Sequence, residues 1–180
     1  ITNKKTMRTL KINLIAGLVG LAMVFSSQTV QAQGWNVESV KMELKRGAEA
    51  NLLDCVKWIE EAATHPKTSN SIKMHYYRGI TYLKIATEYP DLATQYPTAI
   101  EIALSSFNKV LEMDSKNKYT EETKQHLLNV AIGYYYKGDE AFQAKKYDEA
   151  IAAFNQAIPL LAYDVNGDLK RSNLTADVLI

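Results

Sequence analysis

From Gln33 to Ile180 the apolar positions recur at spacings of three and four, and no stretch alternates at the strand period, which predicts an all-helical chain. Asn36 stands as the cap of a first helix, with Glu38 in its first turn and Val37, Val40, Met42 and Leu44 leading to Gly47. A second helix reads from about Ala48 to Thr64, with Leu52, Cys55, Val56, Ile59, Ala62 and Ala63 on one face. It ends at His65-Pro66, because the residue before a proline is pushed out of the helical region. Ser71 caps a third helix, about Ile72 to Thr87, and a loop holding Tyr89-Pro90 and Tyr96-Pro97 follows. Pro97 falls in the first turn of the next helix, where its missing N–H costs nothing; that helix runs to about Met113. After the polar link Asp114 to Lys118, Thr120 with Glu121 and Glu122 opens a long helix to about Ala144, its acidic groups at the positive end. Lys145-Lys146 closes it, and one more helix covers Asp148 to Ile158 before Pro159. The stretch through Asp164-Val165-Asn166-Gly167-Asp168 reads as loop, and Ser172 or Asn173 caps a new helix entering the apolar Val178-Leu179-Ile180.

Two blocks of this pattern occur twice. Tyr76-Tyr77-Arg78-Gly79-Ile80-Thr81-Tyr82-Leu83 matches Tyr135-Tyr136-Lys137-Gly138-Asp139-Glu140-Ala141-Phe142 at a displacement of 59. Ala103-Leu104-Ser105-Ser106-Phe107-Asn108-Lys109-Val110-Leu111 matches Ala150-Ile151-Ala152-Ala153-Phe154-Asn155-Gln156-Ala157-Ile158 at a displacement of 47. The displacements differ by 12, so the earlier copy carries a 12-residue insertion between its helices, placed at about 87–98. Gly138 and Ala150 put small residues on two antiparallel helices, where the backbones are expected to approach closely. Phe154 and Ala157 continue the face of Ala150 at i+4 and i+7. One such hairpin cannot bury its apolar faces alone, and stacked copies complete the core.

This pattern resembles the tetratricopeptide repeat: Gly138, Ala150, Phe154 and Ala157 occupy the family's small, small, aromatic and small positions in a 34-residue unit from Ala131 to Asp164. The family's proline near the end of the unit is absent, and Pro159 comes three residues early. Gly79, Ala103, Phe107 and Val110 form the earlier copy once the insertion is allowed. Cys55, Ile59 and Ala62 stand at second-helix positions of a degenerate N-terminal copy whose first helix has no matching glycine. The resemblance implies antiparallel helical hairpins stacked into a right-handed superhelix, an α-solenoid. The expected divisions are a 33–70 hairpin, a 71–118 repeat with the insertion, a 119–164 repeat, and a linker at 165–180 that begins a further repeat. It also implies that a peptide or partner helix lies against the first helix of each repeat. Residue by residue, those positions are Lys73, Tyr76, Ile80, Leu83 and Lys84, then Ile132, Tyr135, Asp139, Phe142 and Gln143. Tyrosine suits such work, giving broad apolar contact and a hydroxyl with little rotamer entropy to lose.

The first 32 residues change the picture of where this scaffold acts. Lys4, Lys5, Arg8 and Lys11 precede an apolar run from Ile12 to Phe25 broken only by Asn13, and a polar segment ends in Val30-Gln31-Ala32. That is the pattern of a secretory signal with cleavage after Ala32, and Met7 reads as the start codon, leaving residues 1–6 upstream. The alternative, an uncleaved anchor, needs roughly 20 apolar residues to span a bilayer. The chain is similar to exported bacterial proteins of this repeat family, which implies a periplasmic location, or secretion beyond it, and no membrane insertion after cleavage. No cysteine follows the cleavage site, which argues against a lipid anchor. Loss of the signal turns a formal net charge of +1 into about −3, and a weakly acidic chain without a basic run lacks the footprint of a nucleic-acid binder. Cys55, the sole cysteine, cannot form a disulfide within the chain and sits at helical spacing from Leu52, Val56 and Ile59, as a buried inert thiol would.

Catalytic and metal-binding patterns were sought among the remaining residues. His65, His75 and His126 share no ligand spacing and read as solvated helix-end or surface side chains. Asp164-x-Asn166-Gly167-Asp168 has its glycine too early for a calcium loop, and Thr175 stands where the closing glutamate belongs. Glu60-Glu61 and Glu121-Glu122 read as charged helix surface, not as an acid/base pair. No catalytic, cofactor or metal residues are therefore assigned, and the expected activity is protein binding. The competing expectation is a docking arm for an enzyme or secretion subunit whose active domain lies beyond Ile180.

Overall fold

The structure, a computed structural model, describes residues 35–165 and Gly167. Regular structure among them is helical throughout: α1 (residues 35–44), α2 (Leu52–Thr64), α3 (Ile72–Glu88), α4 (Pro90–Gln95), α5 (Ala99–Met113), α6 (Thr120–Gln143) and α7 (Tyr147–Leu160). The expected signal at 1–32 and the helix expected from Ser172 or Asn173, with Thr175, fall outside the described residues. No described helix is long and apolar enough to cross a membrane.

The helices pack in sequence order. α3 folds back on α5 and α6 on α7 as the two most closely packed pairs, α2 lies on α3, and α6 rests on both α5 and α3. The same contact organises both pairs. A Cβ built on Gly79 would lie 2.5 Å from Phe107 Cε1, and one built on Gly138 would lie 2.5 Å from Phe154 Cε1. In each pair the glycine thus opens a slot for a phenylalanine ring; the space left by Gly138 is filled by Phe154, not by the backbone beside Ala150. The i, i+4, i+7 stripes Cys55/Ile59/Ala62 and Ala103/Phe107/Val110 are fully buried. Ala150 and Ala157 are buried likewise, with Phe154 half-covered.

Local chemistry moved several helix ends from their expected positions. α2 begins at Leu52, not Ala48, because Gly47 at φ +65 turns the chain through a short 3-10 segment and the Asn51 side chain then accepts from Asp54 N. Asn36 lies inside α1 instead of capping it, and its amide donates to Glu61. The 12-residue insertion is itself structured as α4, with Pro90 in its first turn. Pro159 does not stop α7, which reaches Leu160 and passes into a 3-10 turn at Leu161–Tyr163. The carbonyl deprived of its partner there belongs to exposed Asn155, which water can satisfy.

The two inter-helix turns that frame α6 set its position. At its start, buried Asp114 Oδ2 accepts from Tyr119 N at 2.6 Å and from Thr120 Oγ1 at 2.9 Å, reaching over the turn to cap the next helix. Burial works to raise this carboxyl, but the backbone N–H groups of Tyr119 and Lys118 and the Thr120 hydroxyl outweigh it and hold it below its ordinary value. At the other end Lys145 takes φ +60 while Lys146 N bonds Ala141 O and Lys145 N bonds Phe142 O, a Schellman closure made without glycine.

Candidate functional site

The positions expected to face a partner divide into two groups. On α3, Tyr76 and Leu83 are 6% and 5% exposed. Tyr76 packs against Tyr119 at 4.6 Å and His126 at 5.8 Å between ring centroids, and its hydroxyl donates to Glu122 at 2.5 Å. Burial, and then that carboxylate, push the Tyr76 hydroxyl well above its ordinary range. Both residues are therefore spacers inside the stack, Tyr76 beneath the start of α6 and Leu83 within the hydrophobic core; neither is open to a partner. Lys73, Ile80 and Lys84 stay half-buried at the surface. Lys73 pairs with Glu38 of α1, whose carboxyl this hydrogen bond holds below its usual value. Lys84 pairs with Glu88 one turn on at 2.5 Å.

On α6 the equivalent side chains are more open. Asp139, Phe142 and Gln143 are exposed, Phe142 by 53%, and Tyr135 is half-buried with its ring 5.9 Å from that of Phe154. These four share a cavity of about 640 Å³ with residues of α7, chiefly Tyr147, Ile151 and Ile158. The ring of Phe142 meets Tyr147 edge-on at 5.6 Å. Ile132 stands apart, half-buried beside Thr87, Tyr96 and Ile100. The α7 half of the groove was not singled out from sequence, although Tyr147, Ile151 and Ile158 form a second apolar stripe at i, i+4 and i+11 beside Ala150 and Phe154.

His126, Glu60, Glu61 and Glu122 make contacts between helices. His126 is no solvated surface side chain: its ring stacks on Phe107 at 5.2 Å and 14°, and burial lowers its pKa against the raising effect of Glu122. His75 is lowered by burial first and then by Arg78. His65 stays at the end of α2, its Nδ1 accepting from Lys67 N. Glu60 pairs with Arg78 at 2.8 Å, and Arg78 also donates to Ser106 and lies over the Tyr82 ring. Glu61, Glu122 and Glu121 accept from Asn36, Tyr76 and Lys124 respectively. Among the described residues no group of three or more His, Cys, Asp or Glu side chains is arranged to hold a metal ion. Cys55 is buried, and desolvation first, with Glu43 and Asp54 behind it, pushes its thiol up to about 12.

Between α6 and α7 lies a mainly apolar groove edged by Asp139 and Gln143 of α6 and Asn155 of α7. Compared with protein-family models, with curated proteins and with solved structures, the chain gives no match.

Proposed function

We propose that this chain is a non-catalytic protein-binding scaffold of the tetratricopeptide type, its hairpins stacked as a right-handed superhelix and exported to the bacterial periplasm. The observation that carries the reading is the doubled Gly79–Phe107 and Gly138–Phe154 contact, which makes α3–α5 and α6–α7 two copies of one unit. A repeat of that kind multiplies a surface along its first helices without building a reaction centre. The positions left open to a peptide segment or partner helix are Lys73, Ile80 and Lys84 on α3 and Asp139 and Gln143 on α6, while Tyr76 and Leu83 are buried. Export rests on the basic, apolar and small-residue pattern of the first 32 residues.

The test is affinity capture from a periplasmic fraction with the wild-type chain and a Lys73→Glu/Lys84→Glu variant. Both lysines are surface members of ion pairs, so the fold should survive their reversal. Loss of specific partners with unchanged helical circular dichroism is expected. The same partners at the same yield on both proteins would remove the α3 face from the proposal.

A further inference from the structure

The start of α6 is held against the α3–α5 pair by a cluster of rings with an ionisable group at its centre. His126 stacks on Phe107 of α5 at 5.2 Å and stands 5.8 Å from the ring of Tyr76 of α3. Tyr76 in turn packs on Tyr119 at 4.6 Å and edge-on against Tyr77 at 5.2 Å. The Tyr76 hydroxyl ties α3 to α6 by donating to Glu122. Of the charged groups on α3, α5 and α6, Glu122 is the one that acts on the imidazole among the described residues. Arg78, Lys109 and Glu112 act on His75 instead, Glu38 acts on Tyr77, and Lys118 lies over the Tyr119 ring.

Glu122 precedes His126 by four residues, so the two side chains share a face of α6 with the acid on the N-terminal side, the order in which a carboxylate and a cation attract best along a helix. While the imidazole is neutral, the carboxylate serves Tyr76 across the joint. An imidazolium needs that same carboxylate, because a charge set against the Phe107 and Tyr76 rings is costly unless it is paired. Glu122 is exposed, which leaves its side chain room to change partner.

We propose that the start of α6 is a proton-operated joint: on taking up a proton His126 draws Glu122 away from Tyr76, and the first turns of α6 part from α3 while both hairpins stay packed. One proton enters from solvent onto the imidazole; the Tyr76 hydroxyl keeps its own and turns to water. Burial disfavours charge on the imidazole in the closed joint, so acid favours the open one. The pivot is the Asp114 turn, whose carboxylate accepts from Tyr119 N and Thr120 Oγ1 and, held below its ordinary value, stays charged where a histidine titrates. Further along, the middle of α6 stays on α5 through Gly133, where a Cβ would lie 2.8 Å from Ile100 Cδ1. Opening bares the Tyr76 ring, 6% exposed when closed. That a partner then reaches this ring rests on the proposed function; the joint itself does not.

Nitroxide labels on the full chain read the joint, at Lys57→Cys of α2, which lies on α3, and at Gln125→Cys of α6; both positions are exposed, and buried Cys55 stays unlabelled. Label distances are measured by pulsed electron paramagnetic resonance at about pH 8 and about pH 5, either side of the ordinary histidine range, with helical dichroism recorded alongside. The otherwise wild-type chain should show a shift to longer, broader distances at the lower pH with unchanged dichroism. His126→Phe keeps a ring against Phe107 but takes no proton, and Glu122→Gln keeps an acceptor for Tyr76 but offers an imidazolium no charge; each should lose the shift. Equal distances at both pH values in the otherwise wild-type chain would overturn the proposal. So would a shift that survives either variant, which places the titration elsewhere, or one accompanied by loss of dichroism, which is unfolding. Lys73 and Lys84 stay in place, so failure here and failure of the α3 partner surface are read separately.

Discussion

Substituting Gly79 by alanine probes the contact that defines the repeat. The added Cβ would lie 2.5, 2.7 and 2.8 Å from Cε1, Cδ1 and Cζ of Phe107, where ordinary contact is 3.4–4 Å, so the ring has to retreat by about 1 Å. It has nowhere to go: Phe107 is 0% exposed and its face is stacked on His126 at 5.2 Å. Overpacking of an enclosed site costs roughly 1–3 kcal/mol, and alanine regains about 1 kcal/mol of helix propensity. The expected net destabilisation is about 0–2 kcal/mol, read as a lower urea midpoint with unchanged slope while the helical dichroism is followed. Phe107→Val removes all three clashing ring atoms. In that background Gly79→Ala should stabilise by about 0.5–1 kcal/mol, giving a coupling of about 1–3 kcal/mol across the cycle. A Gly79→Ala protein clearly more stable than wild type, or a coupling near zero, would refute the reasoning that the glycine exists to admit the ring.

Lys145→Gly relieves the one lysine held at φ +60 in the α6–α7 closure and should raise stability by about 0.5–1 kcal/mol, measured by the same urea titration. Acidification should weaken the fold in two steps. His126 has a folded pKa below its unfolded value, so its contribution fades as pH falls below the ordinary histidine range. Asp114, also depressed, contributes above the unfolded carboxylate range and loses that contribution as pH falls through its folded pKa. Thermal melts from neutral to acid pH should show both steps, with Asp114→Asn shrinking the lower one and His126→Gln the upper, the remainder coming from Glu38 and Glu43 and from His75, which are depressed as well. Cys55 should resist a thiol reagent in the folded protein and react fully in denaturant, because its buried thiol is pushed up to about 12; rapid labelling of the native protein would contradict that burial.

Much of the architecture was legible in the chain because the helical period and the doubled blocks are both sequence quantities. The all-helical class and the position of the insertion follow from spacing alone, and so does the inward stripe Cys55/Ile59/Ala62. Helix ends were less legible where a cap reaches across a turn: nothing near Thr120 announces that the Asp114 carboxylate, six residues earlier, caps it. α4 was read as loop because two Tyr-Pro pairs hide a single turn of helix begun by the first proline. The candidate site was half legible. Tyr76 and Tyr135 hold the same place in the repeat, yet one is closed by α6 and the other opens on the groove.

By itself the sequence determined which blocks form helical hairpins, since both blocks recur in the same order, but that each glycine admits a phenylalanine ring and not the backbone beside Ala150 came from the packing. Only the tertiary structure decided which copies of an equivalent face are covered. Burial depends on the neighbour that packs against a helix, not on the helix's own pattern, so Phe107 and Phe154 read alike in the chain and differ in space.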